Sequence, residues 1–196
     1  MHQLIHVPKT GGTSLYVFLV QMYPEHFQEF MYAGQPPHEL KAKFVPKPVV
    51  IVREPVDRLF SMFRYWRSGS EMFSGEKRLD MSFSSFLDEV NVFNIWKAYI
   101  GPEHLLPQTY WISPDSYKKT ILIRYREDLD GPMRELVRHV GLPEPEEPLP
   151  RLNVTLDREP PEVSDADMEK VFQRYKTDFI LWEMANKRQD LFEKVI

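Results

Sequence analysis

The sequence predicts an α/β domain with a central, mainly parallel sheet. Short apolar runs suited to buried strands alternate with segments of helical period, and turn residues separate the two. Four runs carry the strand prediction: QLIHV (3–7), EFMYA (29–33), PVVIVR (48–53) and TILIRY (120–125). Helices are expected after three of them. Thr13 to Met22 is apolar on one face after a glycine pair, Val56 to Trp66 is introduced by a proline, and Leu129 to Val140 closes on Gly141.

The remaining segments fill in around that frame. Ser68 to Lys77 is polar and glycine-containing and reads as a loop, with FSSFLDEV and NVFNIWKAYI as short helices beyond it, an insertion of the kind that shapes a pocket. GLPEPEEPLPRLN is too rich in proline for regular structure, and a last helix starts near Ser164 with serine, aspartate and glutamate in its first turn. With 196 residues, 42% of them hydrophobic, and no internal repeat, the chain supports one core, so residues 1–196 read as a single domain.

Charge and composition narrow the function. A net charge of −4 argues against general nucleic-acid binding, which needs a basic face. The absence of cysteine removes disulfides and thiolate metal sites and suits a reducing compartment. No targeting segment is visible and no apolar run approaches the ~20 residues of a membrane span, so a cytoplasmic protein is expected.

Chemistry concentrates first in LIHVPKTGGTSL (4–15). A strand ending near Val7, a turn with Gly11 and Gly12, and a helix starting near Thr13 gather unpaired N–H groups at a positive helix end, an anion site for phosphate or sulfate. The hydroxyls of Thr10, Thr13 and Ser14 are further donors, and Lys9 adds a charge. In the Walker A loop the lysine follows the glycines. Here Lys9 precedes them, which departs from a standard nucleoside-triphosphate loop. The bland alternative is a tight strand-to-helix turn with a surface lysine.

The second stretch is VVIVREPVDRLFSMFRYW (49–66). Arg53 stands at the carboxyl end of a buried strand, the edge where α/β sheets bind ligands, and Ser61 lies two helical turns on; together they suit a second phosphate. Arg58 is either a helper there or an internal ion-pair partner of the acids near it, and Arg64 and Arg67 read as a solvated or rim face.

HVPKTGGTSL resembles the 5′-phosphosulfate loop, and VREPVDRLFS the 3′-phosphate motif, of sulfotransferases that use 3′-phosphoadenosine 5′-phosphosulfate (PAPS). The resemblance is to the carbohydrate sulfotransferases of the heparan-sulfate 2-O and Golgi type and their small bacterial and viral relatives. LLPQTYWI, ILIRYREDL, and LPRLNVT with RYKTDFILWE resemble later family segments with less specificity. The resemblance implies a single-domain, P-loop-NTPase-like three-layer fold. It implies PAPS as sulfuryl donor without a required metal, and a saccharide hydroxyl as acceptor. It assigns Lys9, Thr10, Gly11, Gly12, Thr13 and Ser14 to the sulfuryl group and 5′-phosphate, and Arg53 and Ser61 to the 3′-phosphate. Arg151, Asn153 and Thr155 are nucleotide contacts by the same analogy or ordinary loop residues.

Transfer of this kind also needs a base for the acceptor hydroxyl. In the family it follows the second strand, here YAGQPPHELKAKF, where His38 is favoured and Glu39 is the neighbouring candidate. His6 is a third candidate, read first as a residue braced beneath the loop. Phe60, Phe63, Trp66, Phe172, Tyr175, Phe179 and Trp182 recur at helical spacing and are expected in the core, and Lys77 with Arg78 reads as a solvated pair. Two rival functions stand beside transfer: a P-loop kinase or NTPase, and a nucleotide-binding module that has lost the base.

Overall fold

The computed structural model describes residues 2–30, 47–68, 80–92, 102–112, 118–125, 129–149 and 160–192. Among the described residues the sheet has four parallel strands, β1 (His2–Ile5), β2 (Phe27–Phe30), β3 (Pro48–Val52) and β4 (Ile121–Arg124), in the order β2-β1-β3-β4. Parallel neighbours need crossovers, and the crossovers cover both faces. Helix α1 (Gly12–Met22) carries the chain from β1 to β2; α2 (Pro55–Arg67) and α3 (Phe83–Val92) follow β3; α4 (Asp130–His139) follows β4; and α5 (Asp165–Phe192) closes the described chain. Two 3₁₀ turns, Pro102–Leu105 and Gln108–Trp111, lie between α3 and β4.

Alternation along the strands divides the core. Leu4, Val49, Ile51 and Ile123 pack against Leu15, Phe18 and Leu19 of α1 and Met133, Leu136 and Val137 of α4. Ile5, Val50, Val52 and Leu122 point the other way, onto Trp111, Ile112 and Leu181 and Ala185 of α5. A third cluster joins α2, α3 and the first half of α5 through Leu59, Met62, Phe63, Phe83, Phe86, Val171 and Tyr175. The result is an α/β domain with a small open parallel sheet and helices on both faces.

Strand order matters more to function than size. From β1 the chain moves to β2 on one side, then crosses back over β1 to add β3 and β4 on the other. The order therefore reverses between β1 and β3, and the crevice beyond their carboxyl ends is where such sheets bind ligands.

The expected elements recur with shifted edges. β1 ends at Ile5, two residues early, because the chain turns at once: Val7 N donates to Ile5 O at 3.1 Å. β2 starts at Phe27, two residues before the expected Glu29, because a turn after α1 directs Phe27 N to Tyr23 O and delivers the fully buried Phe27 opposite His2. Residues 31–33 of that expected strand, 69–77 of the expected loop, 93–100 of the expected helix and the end of the proline stretch lie outside the described residues. Phe172 is a correction to the expected core: it is 53% exposed and rests against Phe179 on the outside of α5. The helix bends there, with Tyr175 at φ −113°, ψ 18°, so a single helical period does not run through it. Among the described residues no helix is long and apolar enough to cross a membrane.

The start of α5 has the reciprocal cap its sequence suggests. Asp167 N donates to Ser164 Oγ at 3.2 Å while Ser164 N donates to Asp167 Oδ2 at 3.1 Å, and Ser84 of α3 donates to the same carboxylate oxygen at 2.6 Å. Replacing Ser164 by Ala is expected to lower stability by about 1 kcal/mol, read from the urea midpoint at unchanged slope.

Candidate functional site

Beyond β1, the segment Pro8–Thr10 turns sharply into α1. Lys9 adopts φ 65° and Gly11 φ 77°, both left-handed. A lysine in that region costs roughly 1–2 kcal/mol, so something must hold it. Three hydrogen bonds do. Thr10 Oγ1 donates to Val7 O at 2.9 Å, Arg58 Nε donates to Pro8 O at 3.0 Å, and Arg53 Nη1 donates to Lys9 O at 3.0 Å. Thr10 is buried, so its hydroxyl proton is committed inside the loop.

Both glycines are dictated by contact. A Cβ on Gly11 would lie 2.5 Å from Leu129 Cδ1 and 3.1 Å from Tyr125 Cε2, and one on Gly12 would lie 2.5 Å from His6 Cδ2. His6 thus packs directly under the helix start. Helix α1 begins with no side-chain cap and no acid in its first turn, so its own sequence places no carboxylate at the positive helix end. Thr13 is half-buried and Ser14 buried in this turn.

Arg53 enters from the end of β3. Glu54 caps α2 by accepting Asp57 N at 2.7 Å, with Pro55 next in the first turn, which fixes where the helix leaves the strand. Asp57 then takes Arg53 Nε at 2.7 Å, while the guanidinium lies 4.4 Å from the ring centre of Tyr125. The Nη2 end of the fork makes no hydrogen bond among the described residues. Asp57, Ser61 and Tyr65 follow one another at four-residue spacing on α2, so they share one row of the helix. Arg53 pairs with Asp57 at one end of that row; Lys9 Nζ lies 4.2 Å above the Tyr65 ring at the other. Ser61 is between them. The Tyr65 ring is stacked in turn on His104.

Electrostatics favour an anion in this crevice. Burial, helped by the Arg53 charge, lowers the Lys9 pKa from 10.5 to about 8. Arg58, fully buried, is also pushed down, by burial first, with the Asp178 charge opposing. Asp57 answers Arg53, but no acid is paired with Lys9 among the described residues. Arg64 and Arg67 are half-buried on α2, Arg67 lying 5.3 Å from the Phe63 ring centre.

Lys9, Gly11, Gly12 and Arg53 therefore gather at one sheet edge, with Thr10 bracing the turn and Ser61 on the α2 row whose ends meet Arg53 and Lys9. His38, Glu39, Lys77, Arg78, Arg151, Asn153 and Thr155 lie outside the described residues. Three contributors were not assigned from sequence: Tyr65 and Tyr125, each under a cation, and Gln108, whose side chain bonds the backbone of Arg53. Tyr65 was findable from its four-residue spacing to Ser61; the other two touch Arg53 only through the fold. Among the described residues no group of three or more His, Cys, Asp or Glu is placed to hold a metal ion. Comparison with protein-family models, curated proteins and solved structures finds no match to this chain.

Gly11→Ala is expected to cost more than the roughly 1–2 kcal/mol of its left-handed backbone, because the methyl also meets Leu129. Denaturation of that variant beside Gly141→Ala, a left-handed glycine with open space around it, measures the difference.

Proposed function

We propose that this chain is a sulfotransferase that moves a sulfuryl group from PAPS to an acceptor hydroxyl, on a P-loop-like α/β fold. The observation that carries the reading is the meeting of Lys9 and Arg53, from two separate motifs, in the crevice between β1 and β3 beside the uncapped start of α1. The resemblance of both motifs to the phosphosulfate and 3′-phosphate segments of such enzymes supports it, and it alone supports a saccharide acceptor. A cysteine-free chain also suits a cytoplasmic setting.

The residues present fit a nucleotide phosphorylated at both ends of its ribose. Lys9, the N–H groups of Gly12, Thr13 and Ser14, and the Gly11 turn would hold the 5′ end, while Arg53 and Ser61 would hold the 3′-phosphate. PAPS supplies a sulfuryl group whose departure leaves negative charge on the 5′-phosphate oxygen. Lys9 is a cation at neutral pH, and its ammonium together with the helix-start dipoles is suited to stabilising that charge. Arg53 serves by orientation, since Asp57 and Lys9 O fix two edges of its fork. His38 is the proposed base, with Glu39 and His6 as alternatives; the ring of His6 against Gly12 favours a bracing role for that residue. A kinase or NTPase reading is less supported because Lys9 lies ahead of the glycines.

Calorimetric titration is expected to give tighter binding of adenosine 3′,5′-bisphosphate than of ATP; equal affinity would overturn the reading. In transfer assays Lys9→Ala is expected to lower turnover about 10²–10³-fold, the range for losing one transition-state charge partner. Arg53→Ala should chiefly raise the bisphosphate dissociation constant, and His38→Ala should lower turnover at unchanged affinity. Bisphosphate binding without transfer to any of a broad hydroxyl panel would favour the non-catalytic module.

Lys9 adds a pH signature. Between about 8 and 10.5 the unfolded chain holds its proton and the ligand-free fold does not, so this group makes the ligand-free protein more stable as pH rises through that window. A bound anion favours the charged form and reverses the preference. Bisphosphate binding near pH 8 should therefore take up protons, seen as binding heats that vary with buffer ionisation enthalpy, and should weaken at higher pH. Lys9→Arg should remove the proton uptake.

A further inference from the structure

We propose that Gln108, held in turn by Asp178 of α5, is a positioning residue that fixes Arg53 for anion binding; its ligand readout rests on the reading above. Arg53 lies one residue past the last β3–β4 pair, Val52 with Arg124, so the strand ladder does not extend to it. Gln108 supplies what the ladder does not. Arg53 N donates to Gln108 Oε1 at 2.9 Å, and Gln108 Nε2 donates to Arg53 O at 2.8 Å. One side-chain amide thus takes both backbone groups of the arginine, as a neighbouring strand would.

The glutamine is itself immobilised. It is fully buried, and its backbone N–H donates to Asp178 Oδ2 at 2.7 Å, while Thr109 N donates to Oδ1 of the same carboxylate at 3.1 Å. Asp178 is fully buried; burial raises its pKa, and the Arg58 charge with these donors works against that shift. Tyr175, one turn earlier on α5, donates its hydroxyl to Leu105 O at 2.7 Å and fixes the same segment at a second point. The order of contact is Asp178, Gln108, Arg53 and Lys9 O, which runs from the far helix layer to the anion loop. Both ends of the Gln108 amide are committed to Arg53.

The test compares Gln108→Leu, which removes both bonds, with Ser164→Ala, a destabilising change at the distant start of α5, at a temperature where all proteins are folded. Gln108→Leu is expected to raise the dissociation constant of adenosine 3′,5′-bisphosphate about tenfold or more, and Ser164→Ala to leave it unchanged. Gln108→Glu adds a pH readout: its protonated carboxyl regains a donor for Arg53 O, so the ratio of variant to wild-type dissociation constants should fall as pH is lowered. Equal shifts in Gln108→Leu and Ser164→Ala, or none in either, overturn the proposal. Should the wild type not bind the bisphosphate, the function reading fails by itself. The positioning claim is then decided by the ¹⁵N-resolved Arg53 Nε–H signal, which Gln108→Leu should shift or broaden; an unchanged signal overturns it.

Discussion

The site depends on one charge-assisted hydrogen bond, from the Arg53 guanidinium to the carbonyl of Lys9. It crosses the crevice between the ends of β1 and β3, so it exists only because those strands are neighbours, and they are neighbours only because the chain reverses its strand order there. A hydrogen bond to a charged group is worth about 1.5–3 kcal/mol, enough to offset the left-handed backbone of Lys9. Arg58 repeats the device one residue earlier on Pro8 O, and its second amine reaches His104 O at 2.8 Å, so the turn is tied to the 3₁₀ segment as well. The loop is shaped from outside by two arginines of a different motif.

The cations around this turn are held partly or wholly out of water, and burial lowers the pKa of both Lys9 and Arg58. Arg53 and Arg58 keep their charge under any ordinary condition, whereas Lys9 can lose its own: burial first, and the Arg53 charge second, lower its pKa to about 8. Aromatic faces take part of the load, Tyr125 beneath Arg53 and Tyr65 beneath Lys9, and such contacts are worth about 0.5–2 kcal/mol each.

Much of this was legible in the sequence because it is local. Strand and helix identity followed from apolar period and caps, and Lys9, Gly11, Gly12 and Arg53 stood out because turn chemistry and strand ends are written in neighbouring residues. Their meeting was not legible, nor were the roles of Gln108 and Asp178, since each acts on a residue more than fifty positions away. Thr10 shows the limit from the other side. Its hydroxyl reads as a ligand donor, but the tightness of the turn directs it to Val7 O. Phe172 failed for a different reason: the bend at Tyr175 breaks the helical period from which its burial was inferred.

The order of lysine and glycines now has a physical meaning. A lysine after the glycines would belong to the helix start, with its backbone in the α1 hydrogen-bond pattern. Placed before them, Lys9 sits in the turn, where its carbonyl faces Arg53 while its side chain runs to Tyr65 on α2. The same residue therefore fastens β3 to the loop through its backbone and sets a cation at the far end of the Asp57, Ser61, Tyr65 row through its side chain. Two positive groups end up at opposite ends of one helical row, with a serine between them.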